Sequence, residues 1–191
     1  MKTSDKRADI MRAALELIAE KGFHGTPMSK VAEKAGVAAG TIYRYFVSKD
    51  VLINELYREV EKKIMETIQA GHLSGATLRE RFLQLSTALL RYMIANPIHF
   101  RYLEQYHNSP YGANLRRSKI LKQSDEHNVF DKLFQQGITD RVLKDLPLFV
   151  HYSLAFGPLI SLARDHNLGL TLLNDELIEK AVEACWDSMK K

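Results

Sequence analysis

Cysteine occurs once in the 191 residues, at Cys185, so the chain has no internal disulfide to form. No run of eighteen apolar residues occurs, which excludes a helical membrane span. The opening residues MKTSDKRADI lack the apolar core of a signal peptide. A Gly-rich phosphate loop, a zinc-ligand spacing and a Gly-x-Ser-x-Gly elbow are all absent. None of the seven histidines (His24, His72, His99, His107, His127, His151, His166) has a partner four residues away that could share a metal on one helix face. Cys185 lies on an apolar helix face, where a buried, inert thiol is expected. The residues therefore name no catalytic group, no cofactor and no metal site. Strand-type alternation, internal repeats and low-complexity segments are missing as well. What is present is 46% hydrophobic content, in a length that suits one large domain or a small one joined to a medium one. The expectation is a soluble, cytoplasmic, all-α protein of about nine helices that is not an enzyme.

The net charge of +4 is modest but uneven. Residues 1–47 carry eight Lys or Arg against five Asp or Glu, so a quarter of the chain holds most of the surplus. Phosphate neutralisation would use such a bias, and an ordinary solvated surface could also show it. Within this segment, residues 26–49 organise the chain. Met28, Val31, Ala32 and Ala35, then Val37, Ile42 and Phe46, keep helical spacing that breaks once, at Gly36. Glycine suits the left-handed position that closes a helix and turns the chain. Ala32 is small enough for a second helix to cross close to the first. This is the composition of a helix-turn-helix, whose second helix lies in the DNA major groove. Thr26 is the expected N-cap and Pro27 the first-turn residue of the first of these helices. The reading helix is expected at about 38–45, with Ile42 and Phe46 inward. Small Ala39 and Gly40 would permit close entry, and Thr41 offers a methyl and a hydroxyl to base edges. Tyr43 and Tyr45 would bond phosphates or pack on sugars. Arg44 is either a bidentate guanine contact or a phosphate contact.

The string formed by Thr26, Val31-Ala32, Ala35-Gly36-Val37, Gly40-Thr41-Ile42-Tyr43, Tyr45-Phe46, Ser48-Lys49 and Leu52 resembles the TetR/AcrR family of bacterial transcriptional regulators. The resemblance covers residues 7–60 closely and the remainder weakly. It implies that Thr26 and Ser29 sit against the DNA backbone and that Lys49 contacts a phosphate. Ala38 stands where relatives often carry a capping Ser or Thr, which removes about 1 kcal/mol of cap. Lys2, Lys6 and Arg7 form a basic arm ahead of the first helix (4–21), directed at phosphates or the minor groove, or else, for Lys2, a frayed tail. The implied division is a DNA-binding domain over 1–47 and an effector-binding and dimerisation domain over 48–191, linked by a helix at about 48–70.

Beyond that helix, Gly71–Gly75 reads as a turn and Thr77–Glu80 as a capping box. Pro97 opens a further helix, 108–112 reads as a break, and 114–136 as a long helix ended by Gly137. Residues 148–163 are apolar enough for burial nearly all round, and Asn174 caps the last helix. In the family the last two helices form a four-helix dimer interface. Phe149, Leu159, Ile160, Leu177, Ile178, Val182, Cys185, Trp186 and Met189 match that role, or else ordinary internal packing. The family also encloses a small molecule among its C-terminal helices. Tyr57, Tyr92, His99, Tyr102, Tyr106, Phe134, His151, Tyr152 and Phe156, each either core or cavity wall, would suit an apolar or aromatic effector. The implied function is a homodimeric repressor of a palindromic operator, released by that effector. The rival classes are an enzyme, against which the missing catalytic motifs argue, and a DNA-independent ligand-binding or scaffolding dimer; activation in place of repression stays open.

Overall fold

The computed structural model describes residues 5–70, 76–120 and 129–191. These form ten helices: α1 (Lys6–Lys21), α2 (Met28–Lys34), α3 (Ala39–Tyr45), α4 (Lys49–Gln69), α5 (Leu78–Ala95), α6 (Pro97–His107), α7 (Pro110–Ile120), α8 (Val129–Thr139), α9 (Leu148–Asn167) and α10 (Asp175–Met189). No strand occurs among the described residues, where Leu143 and Lys190 form an isolated antiparallel bridge. The all-α class is as expected. No helix among them is long and apolar enough to cross a membrane. The chain divides into two compact units, residues 1–63 with 96–116, and 64–95 with 117–191. Both α4 and α7 run across the division.

In the first unit, Asp5 caps α1 by accepting from the Arg7 and Ala8 amides at 3.1 and 3.4 Å. Gly22 closes it at φ 68°, donating to the Ile18 carbonyl at 2.8 Å. Gly36 turns the chain between α2 and α3 at φ 66°, the left-handed conformation expected of it. The stripe Ile10, Ala14, Leu17 and Ile18 is buried with Val31, Ala32, Ile42 and Phe46, so three helix faces close on one small core. Ser48 caps α4, its Oγ accepting from the Val51 amide at 3.2 Å. Thr26 departs from expectation. The N-cap of α2 is Pro27, with no side-chain bond. Thr26 instead lies buried and donates its hydroxyl to the Gly22 carbonyl at 2.8 Å, tying the turn back to the end of α1.

In the second unit, α5, α8, α9 and α10 pack on one another. The Thr77–Glu80 capping box is reciprocal: the Thr77 amide donates to the Glu80 carboxylate at 2.8 Å and the Glu80 amide to the Thr77 hydroxyl at 3.2 Å. The bond from the Thr77 backbone, first among the causes, holds the Glu80 carboxyl below its ordinary range. Asn174 caps α10 through the Leu177 amide at 2.9 Å.

Three expectations are corrected. The stretch read as 114–136 begins earlier, at Pro110 with α7, and α8 continues past Gly137 to Thr139, while residues 121–128 lie outside the described residues. Gly112 and Gly137 do not break helices. A Cβ on Gly112 would lie 2.5 Å from the Tyr106 carbonyl oxygen, and one on Gly137 2.6 Å from Leu143 Cδ1, so both are glycine because another segment presses on them. Nor is α9 buried all round. His151, Ala155, Leu159 and Ala163, four residues apart, form a single buried stripe. The turn at 71–75 lies outside the described residues.

Candidate nucleic-acid interface

Seven residues of α3 span about 10 Å at 1.5 Å per residue, which suits a major groove about 12 Å wide. Ile42 anchors the helix inward and Phe46 closes it, both fully buried. The face that remains is Ala39, Gly40, Tyr43 and Arg44, all exposed, flanked by half-buried Thr41 and exposed Tyr45. Tyr43 is 53% exposed. Arg44 makes no ion pair or hydrogen bond among the described residues, so its five donors are available. A Cβ added at Gly40 would meet nothing within 4 Å. Ala38 is the N-cap without a side-chain bond, as read from the sequence.

The other candidates for this surface take different positions. Ser29 on α2 and Lys6 on α1 are exposed. Arg7 is paired with Glu55 at 2.6 Å and lies over the Phe46 ring at 5.4 Å, so it ties α1 to α4 as well as adding charge. The Lys49 ammonium donates to the Phe23 carbonyl, and burial lowers its pKa against the opposing pull of Asp50. Two of its donors stay available for a phosphate. The Thr26 side chain is buried and committed, so it offers nothing to DNA. Lys2 lies outside the described residues. One surface residue escaped the sequence reading. Val47, 77% exposed beside α3, extends the outer face; its signal is that it directly follows inward Phe46 and so must point out.

The nine candidate effector residues divide between the two units. Tyr57, His99, Tyr102 and Tyr106 belong to the first unit. There Tyr102 donates to the Ile53 carbonyl at 2.7 Å, Tyr106 to Asn54 Oδ1 at 3.0 Å and Tyr57 to Glu61 Oε1 at 3.1 Å. Burial raises the phenol pKa of Tyr102 and Tyr106, and lowers the pKa of His99. Tyr92, Phe134, His151, Tyr152 and Phe156 belong to the second unit. Phe134 is ringed there by Tyr152 at 5.4 Å, His151 at 5.6 Å and Phe156 at 6.2 Å. Tyr152 donates to Asp131 at 2.8 Å. His151 is wholly buried, and burial, partly offset by its bond to the Lys144 carbonyl, lowers its pKa. With Nε2–H donating to that carbonyl at 3.0 Å, its Nδ1 is a buried acceptor with no partner. The Ser86 hydroxyl is likewise buried and unpartnered. A separate open groove of about 350 Å³ lies between α5 and α10, floored by Leu83, Thr87 and Val182 under an acidic rim; none of the nine lines it.

Of the nine dimer candidates, Leu159, Ile178, Val182, Cys185, Trp186 and Met189 are buried within the second unit. They lie on the inward faces of α9 and α10, and burial pushes the Cys185 thiol up to about 11. Phe149 (59%), Ile160 and Leu177 are exposed. Leu168, Leu170 and Leu172, in the α9–α10 connection, are 64–80% exposed and were not singled out in the sequence. No group of His, Cys, Asp or Glu that could hold a metal occurs among the described residues.

The model of the family described as bacterial regulatory proteins, tetR family, matches residues 10–56. A second, described as tetracyclin repressor-like, C-terminal domain, matches residues 77–190. The solved structure of a TetR family transcriptional regulator from Vibrio parahaemolyticus is similar over 98% of this chain and 99% of its own, with 38% identity and a TM-score of 0.77. The fatty acid metabolism regulator protein of Bacillus subtilis is 29% identical over 181 residues, 90% of this chain and 86% of its own. The transcriptional repressor KstR of Mycolicibacterium smegmatis is 38% identical over 95 residues, 49% of this chain and 46% of its own. These relatives are regulators and not enzymes. The match runs from the helix-turn-helix to the C-terminal helices, and the chain therefore belongs to the TetR family of DNA-binding transcriptional regulators.

Proposed function

We propose that the protein is a homodimeric repressor that binds a palindromic operator and is released by a small apolar or aromatic effector. The observation that carries the reading is the outer face of α3, where an unpaired Arg44 stands between two exposed tyrosines above a glycine with open space in place of a side chain. One such helix offers few base contacts, and two-fold proteins gain specificity by reading two half-sites. The exposed apolar residues Phe149, Ile160 and Leu177 support α9 and α10 as the pairing surface. In this reading residues 1–47 read DNA and residues 48–191 bind the effector and dimerise, with α4 as the link. The repressor sign follows KstR, and the name of the Bacillus subtilis relative makes a fatty acid derivative the first effector to try. DNA binding places the protein in the cytoplasm. For release, the effector must favour the DNA-incompetent state; moving a 1:99 balance to 99:1 takes about 5.5 kcal/mol.

The test is selection from a randomised duplex library, repeated across a salt series. Enrichment of one palindrome with a steep salt slope supports the reading. Flat enrichment refutes it. Anisotropy on the selected duplex then tests release: a ligand that binds the protein and leaves its DNA affinity unchanged is not the effector.

A further inference from the structure

Helices α2 and α3 hang between two anchor points, Phe23 in the turn after α1 and the Lys49-Asp50 pair that opens α4. Neither α2 nor α3 has a side-chain N-cap bond, and each is only seven residues long. Beyond the core they share with α1, their pose depends on how those two anchors are held. One tie is direct, from the Lys49 ammonium to the Phe23 carbonyl. A second tie comes from outside the helix-turn-helix. Tyr111, in the first turn of α7, places its ring edge-on to Phe23 at 5.4 Å and donates its hydroxyl to the Asp50 carboxylate. The same ring stacks on Tyr106 at 6.0 Å, and Tyr106 in turn bonds Asn54 one turn further along α4. Burial first, and then the bond to Asp50, pushes the Tyr111 phenol up to about 12.

We propose that Tyr111 is a positioning residue for DNA reading: it latches the α1–α2 turn to the first turn of α4 and so fixes the angle at which α3 meets the groove. The latch sits on the helix through which the chain leaves the first unit after Arg116, so displacement of α7 opens it. Opening frees the head to sample angles that do not match both half-sites at once, and apparent affinity falls by the fraction of time the head is misaligned. This inference rests on the two-headed reading above.

The experiment uses the full chain, the selected operator, and copies of that operator with one or two base pairs inserted between the half-sites. Wild type, Tyr111→Phe, Asp50→Ala, Asp50→Asn and the Tyr111→Phe/Asp50→Ala double variant are titrated on each duplex by anisotropy, alongside thermal melting. Tyr111→Phe keeps both ring contacts and removes only the bond to Asp50. It is expected to weaken binding to the correctly spaced operator about tenfold, the scale of a lost hydrogen bond to a charged group, and to shrink the penalty for wrong spacing by a similar factor. Asp50→Ala should do the same to the penalty, and the double variant should add nothing further. Asp50→Asn keeps an acceptor oxygen and should keep wild-type spacing discrimination. The ratio between duplexes cancels the altered charge of the Asp50 variants. A lower melting temperature in Tyr111→Phe with an unchanged spacing penalty would overturn the latch and leave a merely structural tyrosine. Wild type without a spacing preference would remove the two-headed reading, and the latch with it.

Discussion

Gly40→Ala separates what the fold needs from what the bound DNA needs. Glycine inside a helix costs about 0.5–1 kcal/mol relative to alanine. Gly40 stands in the first turn of α3, so the lower end applies. An added Cβ meets no protein atom within 4 Å, hence nothing in the free chain offsets that gain. The free variant should be more stable by about 0.5 kcal/mol, a rise of roughly 1–2 °C in Tm for a chain of this size. On the operator the same methyl must fit between α3 and the groove. Overpacking of a closely fitted surface costs about 1–3 kcal/mol. Two heads bind per dimer, so the loss is at least about 2 kcal/mol, or roughly 30-fold in Kd. Calorimetry of the free protein and anisotropy on the operator at one fixed salt concentration measure the two halves. A stabilised variant with unchanged operator affinity would refute the close approach of α3. A destabilised one would mean that the space at residue 40 is not open.

The other predictions draw on neighbouring features. Arg44→Ala should relax base preference at one operator position at a cost of about 1–3 kcal/mol, if it reads guanine, and Arg44→Lys should fail to restore that preference, because a single ammonium cannot make the forked contact. A uniform loss across all sequences would reduce Arg44 to a phosphate contact, read by repeating the library selection. Ile160→Glu, on the exposed face of α9, should shift sedimentation towards monomer with helicity intact, whereas Leu159→Glu, fully buried one residue earlier, should unfold the second unit; a dimer that survives Ile160→Glu would move the pairing surface elsewhere. Stability should rise with pH through the histidine range. Burial lowers the folded pKa of His151, and also that of His99, below the ordinary value of 6.5. The unfolded chain therefore takes up more protons there. The contribution is complete above about pH 6.5 and is lost as pH falls towards the lowered folded values, and His151→Phe should flatten the slope in denaturant titrations.

Helix positions and caps were legible wherever their cause is local. The Thr77–Glu80 box, the Asn174 cap, the left-handed Gly36 and the inward pair Ile42 and Phe46 all follow from a few neighbouring residues. Thr26 shows where that logic stops. A threonine before Pro27 reads as a cap, yet its hydroxyl turned back to Gly22, because the turn after α1 left a carbonyl within reach. The effector candidates could not be sorted by unit for a related reason. Periodicity assigns Tyr102 and Phe134 to apolar faces but carries no information on which helix each face meets, so tyrosines that hold α4 in the first unit could not be told from aromatics of the second.

Glycine makes the same limit concrete, because one residue type here answers three causes. Gly22 and Gly36 adopt a backbone conformation that other residues resist, and that cause is local. Gly112 and Gly137 are pressed by another segment of the chain, and that cause is tertiary. Gly40 has neither: it sits in a helix, with open space around the missing side chain, whereas Gly157 precedes Pro158 inside α9, where a Cβ would crowd the proline ring. A glycine that weakens its own helix and makes room for nothing in the protein is best accounted for by something outside it. Gly40 lies on the outer face of the reading helix. That position, which the isolated fold leaves unexplained, thus falls where the proposed function requires a close approach by DNA.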